Sequence, residues 1–382
     1  MKKRICILLA LLILTLASCA KDEPSAEPAP DTPTAAEPVP ETEAAPEEEE
    51  PAPAPDDSEQ DLHAVTVSAP ANGMEEISKG VYLARVGDCG FSAFLEEGGA
   101  SSDREVLAFL SGHLSVPGLD FQIPGVGCST VAVTSPDGGR IFGRNFDWSC
   151  REVLLLEAHP DGAYASFSTV NVDFIKESAA NLSDAALAAA AYYAPLDGMN
   201  EKGLAVSVNM ISDSDRIRQR TDLPDLTTTT ALRLLLDRAA TVEEAIALLG
   251  QYDLHGSYDM MIHFAVTDAE GHAVAVDYIQ QEMIVTETPV LTNFYVAEGE
   301  KHGIGAAQSH ERFKVLEAFL ADHPTASVYQ VRDALTAAGE SNFDPDPNER
   351  TEWSVIYDQM NLTATWYRRE NFSEGWSAAL KP

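Results

Sequence analysis

Three side chains within one short stretch could together perform nucleophilic chemistry. Cys128 offers a thiol, Arg144 a permanent cation, and Asp147 a carboxylate nineteen positions after the thiol. A thiol attacks as its thiolate, so a nearby cation that lowers its pKa helps, and a carboxylate can orient whatever group takes the proton. The residues between them suggest how they meet. A two-residue alternation sets Cys128, Thr130 and Ala132 against Ser129, Val131 and Val133, Ser135-Pro136-Asp137-Gly138-Gly139 is rich in turn formers, and 140–146 forms a second extended run. That pattern is a hairpin, and it brings all three groups to one end. Taken alone, an exported cysteine is more often a disulfide partner and an Arg–Asp pair more often a plain ion pair. The rest of the chain has to decide.

The surrounding elements alternate in blocks. Before the cysteine, 80–84 reads as a strand and 102–110 as a capped helix with an apolar face. After it come strands over 129–134, 140–146, 153–158 and 163–170, an alanine-rich helix over 183–193 and a strand over 204–209. A helix over 227–240 follows, then one opened by the capping box Thr241-Val242-Glu243-Glu244 and stopped at Gly250. Strands over 262–267, 273–278 and 283–286, helices over 309–321 and 327–338, and a hairpin of 354–357 with 363–367 complete the chain. Such blocks predict an α+β protein of two sheets with helices segregated outside, in preference to a doubly wound parallel sheet.

The termini and composition set the compartment. Lys2, Lys3 and Arg4 precede an apolar run over 5–16 that is too short to span a bilayer, and Leu16-Ala17-Ser18-Cys19 reads as a lipobox. Residues 1–18 are therefore expected to be a lipoprotein signal peptide, with lipid on Cys19 holding the exported protein to the outer face of a bacterial membrane. Residues 19–61 are proline, alanine and acidic residues, with fourteen acidic side chains between 22 and 59 against Lys21, and read as a disordered tether. The formal charge of −36 argues against nucleic acid as a partner. Among the cysteines of the exported body, Cys89, Cys128 and Cys150, an odd number leaves a thiol unpaired, and whether Cys89 pairs with Cys150 stays open. No cysteine or histidine cluster has metal-ligand spacing, and neither metal nor cofactor is implied.

Further segments complete a pattern. They are Gly143-Arg144-Asn145-Phe146-Asp147-Trp148, Asp197-Gly198-Met199-Asn200 leading to Asn209, Val290-Leu291-Thr292-Asn293, Ser309-His310-Glu311-Arg312, and Trp353-Ser354-Val355-Ile356-Tyr357-Asp358. With Cys128, and in this order, they resemble the choloylglycine hydrolase family of N-terminal-nucleophile hydrolases, which groups bile salt hydrolases, penicillin V acylases and the relatives of acid ceramidase. The resemblance implies a four-layer α-β-β-α sandwich. It implies that Cys128 is the nucleophile, exposed as the first residue by a cut between Gly127 and Cys128, with its own α-amino group as the base. That amine titrates near 7.7 to 8.0, close to working pH. Asp147 would hold the ammonium and Arg144 would lower the thiol pKa. Asn209 and Asn293 would face the oxyanion at about 2.7 to 3.1 Å, and Arg312 would support the site.

Three departures shape the expectation. The 127 residues before Cys128 exceed what bile salt hydrolases carry, so 62–127 is expected to be a pro-segment that stays bound as a small subunit, with 128–382 the catalytic domain. Only nineteen positions separate Asn293 from Arg312, which removes the longer assembly loop of bile salt hydrolases and leaves the oligomeric state undefined. Asn209 also lies one residue nearer Asn200 than in those enzymes. The expected activity is hydrolysis of a linear amide C–N bond in a small molecule with an apolar acyl group, and acyl transfer to another amine would use the same chemistry. Two other readings fit the gross features: a solute-binding lipoprotein, which would show two parallel α/β lobes, and a catalytically silent ligand-binding member of the same fold.

Overall fold

A computed structural model describes residues 63–71, 73–114, 127–176, 182–301, 305, 307–343 and 350–381. The expected signal peptide, lipidation site Cys19 and tether lie outside the described residues, as do 115–126, directly before Gly127.

Two large sheets carry the fold. The first has seven strands in the order His63–Thr66, Asn371–Ala379, Thr363–Arg368, Arg350–Asp358, Arg140–Trp148, Gly127–Thr134 and Val290–Leu291. The second has nine, in the order Glu282–Glu287, Ala273–Ile279, Met261–Thr267, Ala205–Ile211, Asp197–Asn200, Ser166–Asn171, Val153–Ala158, Val81–Val86 and Met74–Ser78. Most neighbours run antiparallel, and the expected α+β class holds. Among the described residues the sheets do not form the two parallel lobes that a solute-binding lipoprotein would need.

The alternation of side chains along each strand decides what each sheet face meets. On the seven-stranded sheet, Val131, Val133, Ile141 and Ile356 point to one face. They pack against Leu316 of the helix Ala307–Asp322 and Val331 and Leu335 of the helix Val328–Ala337. The opposite face carries Phe142, Trp353, Tyr357 and Trp366, which join Phe167, Met199, Val206 and Val208 of the nine-stranded sheet in one apolar cluster. Phe167 and Trp366 meet edge to face at 5.5 Å, and the Trp366 indole donates to Thr169 Oγ1 at 3.1 Å. Helices Asp184–Tyr192 and Thr228–Arg238 lie on the nine-stranded sheet. Ser183 caps the first by accepting from the Ala186 N–H at 3.3 Å, and Thr241 caps the helix Val242–Leu249 through the Glu244 N–H at 3.2 Å.

Residues before the cysteine are woven into both sheets. His63–Thr66 pairs in parallel with Asn371–Ala379, and Val81–Val86 pairs in parallel with Val153–Ala158. The expected helix over 102–110 spans Asp103–Leu114. The strands His63–Thr66, Met74–Ser78, Asp197–Asn200 and Asn371–Ala379 go beyond the expectation. Each is short, weakly alternating or rich in polar residues, and exists because a neighbouring strand edge takes it up. Cys89, Cys128 and Cys150 are all buried free thiols, so Cys89 and Cys150 form no bridge.

Candidate active site

The hairpin forms as the turn residues demand. Ser135 N–H reaches Gly139 O at 3.1 Å, Gly138 takes φ +88, and the ladder sets Cys128 opposite Phe146, Thr130 opposite Arg144 and Gly127 opposite Asp147. Register therefore sorts the chemistry by face. Cys128, Arg144 and Phe146 share the face turned to the other sheet, and Asp147 belongs to the face turned to the helices. The two groups meet at the strand end, where Cys128 begins.

On the inner face the Arg144 Nη2 lies 3.4 Å from Cys128 Sγ and 2.7 Å from Val208 O. Its Nη1 pairs with Asp197 Oδ2. Asp197 is held in turn by the Trp353 indole at 3.0 Å and the Tyr357 hydroxyl at 2.7 Å. The guanidinium also stands 5.1 Å above the Phe146 ring, which stacks on Trp353 at 3.8 Å. A fully buried cation is thus fixed beside the sulfur by a charged and aromatic frame. Burial pushes the Cys128 thiol up, Arg144 pulls it down, and the net direction in the uncut chain is upward. Cys128 is held as a thiol there.

On the helix side Arg312 gathers the rest. Its Nη1 donates to Cys128 O at 3.0 Å and to Asp147 Oδ2 at 2.7 Å, and its Nη2 donates to Asn293 Oδ1 at 2.9 Å. Thr351 Oγ1 donates to Asp147 Oδ1 at 2.7 Å. Burial raises the Asp147 carboxyl despite the opposing pull of Arg312 and Thr351. The nitrogen of Cys128, which a cut would turn into an amine, donates to Asn293 Oδ1 at 2.7 Å. Gly127 rests on Asp147: a Cβ at this position would stand 3.2 Å from Asp147 Oδ2 and 3.3 Å from Arg312 Nη2.

Five of the six sequence-selected side chains, Cys128, Arg144, Asp147, Asn293 and Arg312, therefore form one contact network. Asn209 sits one layer back. Its Nδ2 donates to Thr292 O at 3.2 Å and Leu291 O at 3.4 Å, and the Asn293 Nδ2 donates to Met210 O at 2.7 Å. In the uncut chain both amides spend their N–H groups on backbone carbonyls. Sequence reasoning assigns no part to Asp197, Thr351, Tyr357 or His263. His263 lies opposite Asn209 in the ladder, with Nδ1 2.9 Å from Asp277 Oδ1 and Nε2 2.9 Å from Thr292 O, so it braces the segment that leads to Asn293. Asp197, Trp353 and Tyr357 lie inside the sequence motifs, which is the only signal for them, and Thr351 has none. His263 gives only the weak signal of a polar residue in an otherwise apolar strand.

Next to Cys128 lies a narrow chamber of about 40 Å³, lined by apolar groups such as Phe146, Trp148, Phe174, Leu196, Val208 and Ile262. Among the described residues no group of histidine, cysteine and acidic side chains could hold a metal ion.

Residues 134–369 match the family described as acyl-coenzyme A:6-aminopenicillanic acid acyl-transferase. The chain belongs to this family. The protein is an amide-acting enzyme. The expected membership of the penicillin acylase-like N-terminal-nucleophile hydrolases stands with it. Solved structures similar to this chain include two single-residue variants of the conjugated bile acid hydrolase from Clostridium perfringens. Each is 16% identical and covers 64% of this chain and 90% of the other, with TM-scores of 0.46 and 0.49. Penicillin V acylase from Agrobacterium tumefaciens is 16% identical over 63% of this chain and 83% of its own, with a TM-score of 0.37. No curated protein matches.

Proposed function

We propose that the protein is a cysteine amidohydrolase that cleaves a linear carboxamide C–N bond through an acyl-thioester on Cys128, after the chain cuts itself between Gly127 and Cys128. The observation that carries this reading is the position of Cys128. Its sulfur faces Arg144 at 3.4 Å while its backbone nitrogen and oxygen are held by Asn293 and Arg312. Both ends of one residue are engaged, as a residue supplying both nucleophile and base requires.

In the first step Sγ attacks the Gly127 carbonyl. The S–C bond forms, the C–N bond to Cys128 breaks, and the thiol proton passes to the departing nitrogen. Water then splits the thioester, returning hydrogen to the sulfur and hydroxyl to Gly127. Removal of Gly127 leaves the new amine next to Asp147, whose carboxylate can hold it. In turnover the amine takes the thiol proton, Sγ attacks the substrate carbonyl, and the proton goes to the leaving nitrogen. The amine product departs, and water releases the acid. Asn293, relieved of the Cys128 amide N–H, and Asn209 are the side-chain amides nearest this reaction. Arg144 stabilises the thiolate.

The same reading completes the fold as a four-layer sandwich with 62–127 as a pro-segment. The pairing of its strands with both sheets supports its staying bound after the cut. The lipobox supports export and attachment to the outer face of a bacterial membrane through Cys19. A second reading, transfer of the acyl group to an amine in place of water, is favoured by the description of the matching family.

The test is the intact mass of the purified protein beside its Cys128→Ala variant under reducing conditions. The expected result is two fragments meeting at Gly127/Cys128 with the variant uncut. An uncut, folded wild type would sink the self-cleaving hydrolase.

A further inference from the structure

Beyond the chamber at Cys128 lies a second, far larger hollow of about 890 Å³. Its wall includes Asp103 and Arg104 from the N-terminal segment, and Arg218, Arg220, Asp253 and His255. One side chain, Tyr258, lines both hollows. Tyr258 is the partition between them.

The backbone that carries it is bent hard. Tyr258 and Asp259 both take φ 58, a left-handed conformation that is strained for a bulky residue. At Gly256 a Cβ would lie 2.2 Å from Met260 O, so only glycine lets the turn close. Two outside grips keep it bent: Arg216 and Arg218 pair with Asp259, and Asp103 Oδ2 accepts the Tyr258 N–H at 2.7 Å. Strain that is held in place at the mouth of a site points to function there.

Size and polarity then separate the two halves of a substrate. A water-sized group needs about 10–15 Å³ of such space, so the inner chamber of about 40 Å³ accepts roughly three of them. The outer hollow falls within the range of about 300–1,000 Å³ typical of ligand sites. Product order says which half goes where. The amine leaves first and must reach solvent, whereas the acyl group stays on sulfur until water or another acceptor takes it. The small apolar chamber beside the sulfur suits the acyl group and the larger, more polar hollow suits the amine.

Resting on the amidohydrolase reading, we propose that the substrates are amides of a short apolar acyl group, about two to four carbons, with a polar amine seated in the outer hollow. Tyr258, pinned by Asp103 of the N-terminal segment, sets the acyl length. The N-terminal segment is thereby part of the selectivity of the site and not only a pro-piece.

The test uses the cut full chain and two probe series. N-acyl-p-aminobenzoates from acetyl to decanoyl report turnover. Alkyl chloromethyl ketones of the same lengths label the Cys128 thiol, read as adduct mass, whether or not amides turn over. Wild type should prefer the short members of both series. Tyr258→Gly, whose backbone accepts the positive φ without strain, should raise the long-to-short ratio about tenfold or more, and Tyr258→Phe should leave it unchanged. Asp103→Ala should move the ratio in the same direction as Tyr258→Gly. Long chains handled as well as short by wild type, or a ratio that Tyr258→Gly does not change, would overturn the proposal. Ketone labelling with the expected ratio but no amide turnover would leave the partition standing and count against the hydrolase alone.

Discussion

The polar network around Cys128 and the turn at Gly256–Met260 sit on either side of one small chamber, and they are built on opposite terms. The network stands on strands of both sheets and on the helix Ala307–Asp322 packed against one of them. Arg144, Asp147, Asp197 and Arg312 are almost wholly buried, and each charge has an opposite charge in contact. The turn is a loop, half exposed and held in an unfavourable conformation by exposed arginines. Buried paired charge is costly to disturb and cheap to leave alone, so it holds atoms still. A strained loop gripped from outside can be altered with little loss of the fold. On the proposed reading, chemistry is placed on the rigid side and choice of substrate on the adjustable side.

The largest effect expected is from Cys128→Ala, which should end self-cleavage and lower amide turnover by about 10⁴-fold or more. Mass spectrometry and product release check it, and cleavage of the variant would remove the network from the chemistry. Arg312→Ala strands the Asp147 carboxylate and should cost about 3–5 kcal/mol of stability. A urea midpoint near wild type would show that the rigid side is not rigid through its charges. Tyr357→Phe, which withdraws one hydroxyl from Asp197, should cost roughly 1.5–3 kcal/mol by the same measurement. Gly127→Ala crowds Asp147 and Arg312 and should slow cleavage, with a stability loss of about 1–3 kcal/mol; a time course of fragment appearance reads the first. The smallest effect belongs to the turn. Arg218 first, then Arg216, hold the Asp259 carboxyl below the usual range. A depressed carboxyl contributes stability above its unfolded value, near 3.9, that is lost as pH falls through the folded one. Hydrogen-exchange protection at 256–260, taken relative to the intrinsic rate at each pH, should therefore fall below about pH 4 while the strands stay protected, and protection that does not change with acid would separate the turn from its arginine grip.

How much of this the sequence shows depends on how local the cause is. The Cys128 hairpin is legible because turn residues and alternation lie next to one another, and register then dictates which side chains share a face. The helix capped by Thr241 is legible for the same reason. The strand Asn371–Ala379 is not, since Asn371, Ser373 and Glu374 give no apolar rhythm and the strand depends on a partner edge at Thr363–Arg368. The part of Asn209 is readable as a motif but not as a contact, because its amide meets Leu291 and Thr292, which lie 82 and 83 positions away. Tyr258 leaves no trace, because nothing in its type announces a positive φ. That conformation arises from Asp103, Arg216 and Arg218, brought to it from elsewhere in the chain.

The strands His63–Thr66 and Val81–Val86 have a thermodynamic consequence of their own. While the chain is whole, unfolding and refolding are events of one molecule. If 127 and 128 are severed as proposed, melting releases two polypeptides, and each lacks a strand that the other supplies. Reassembly then depends on their meeting, so the midpoint should fall on dilution. A matured molecule that loses its smaller piece has no ready way back, and its working life becomes a matter of how slowly the two part.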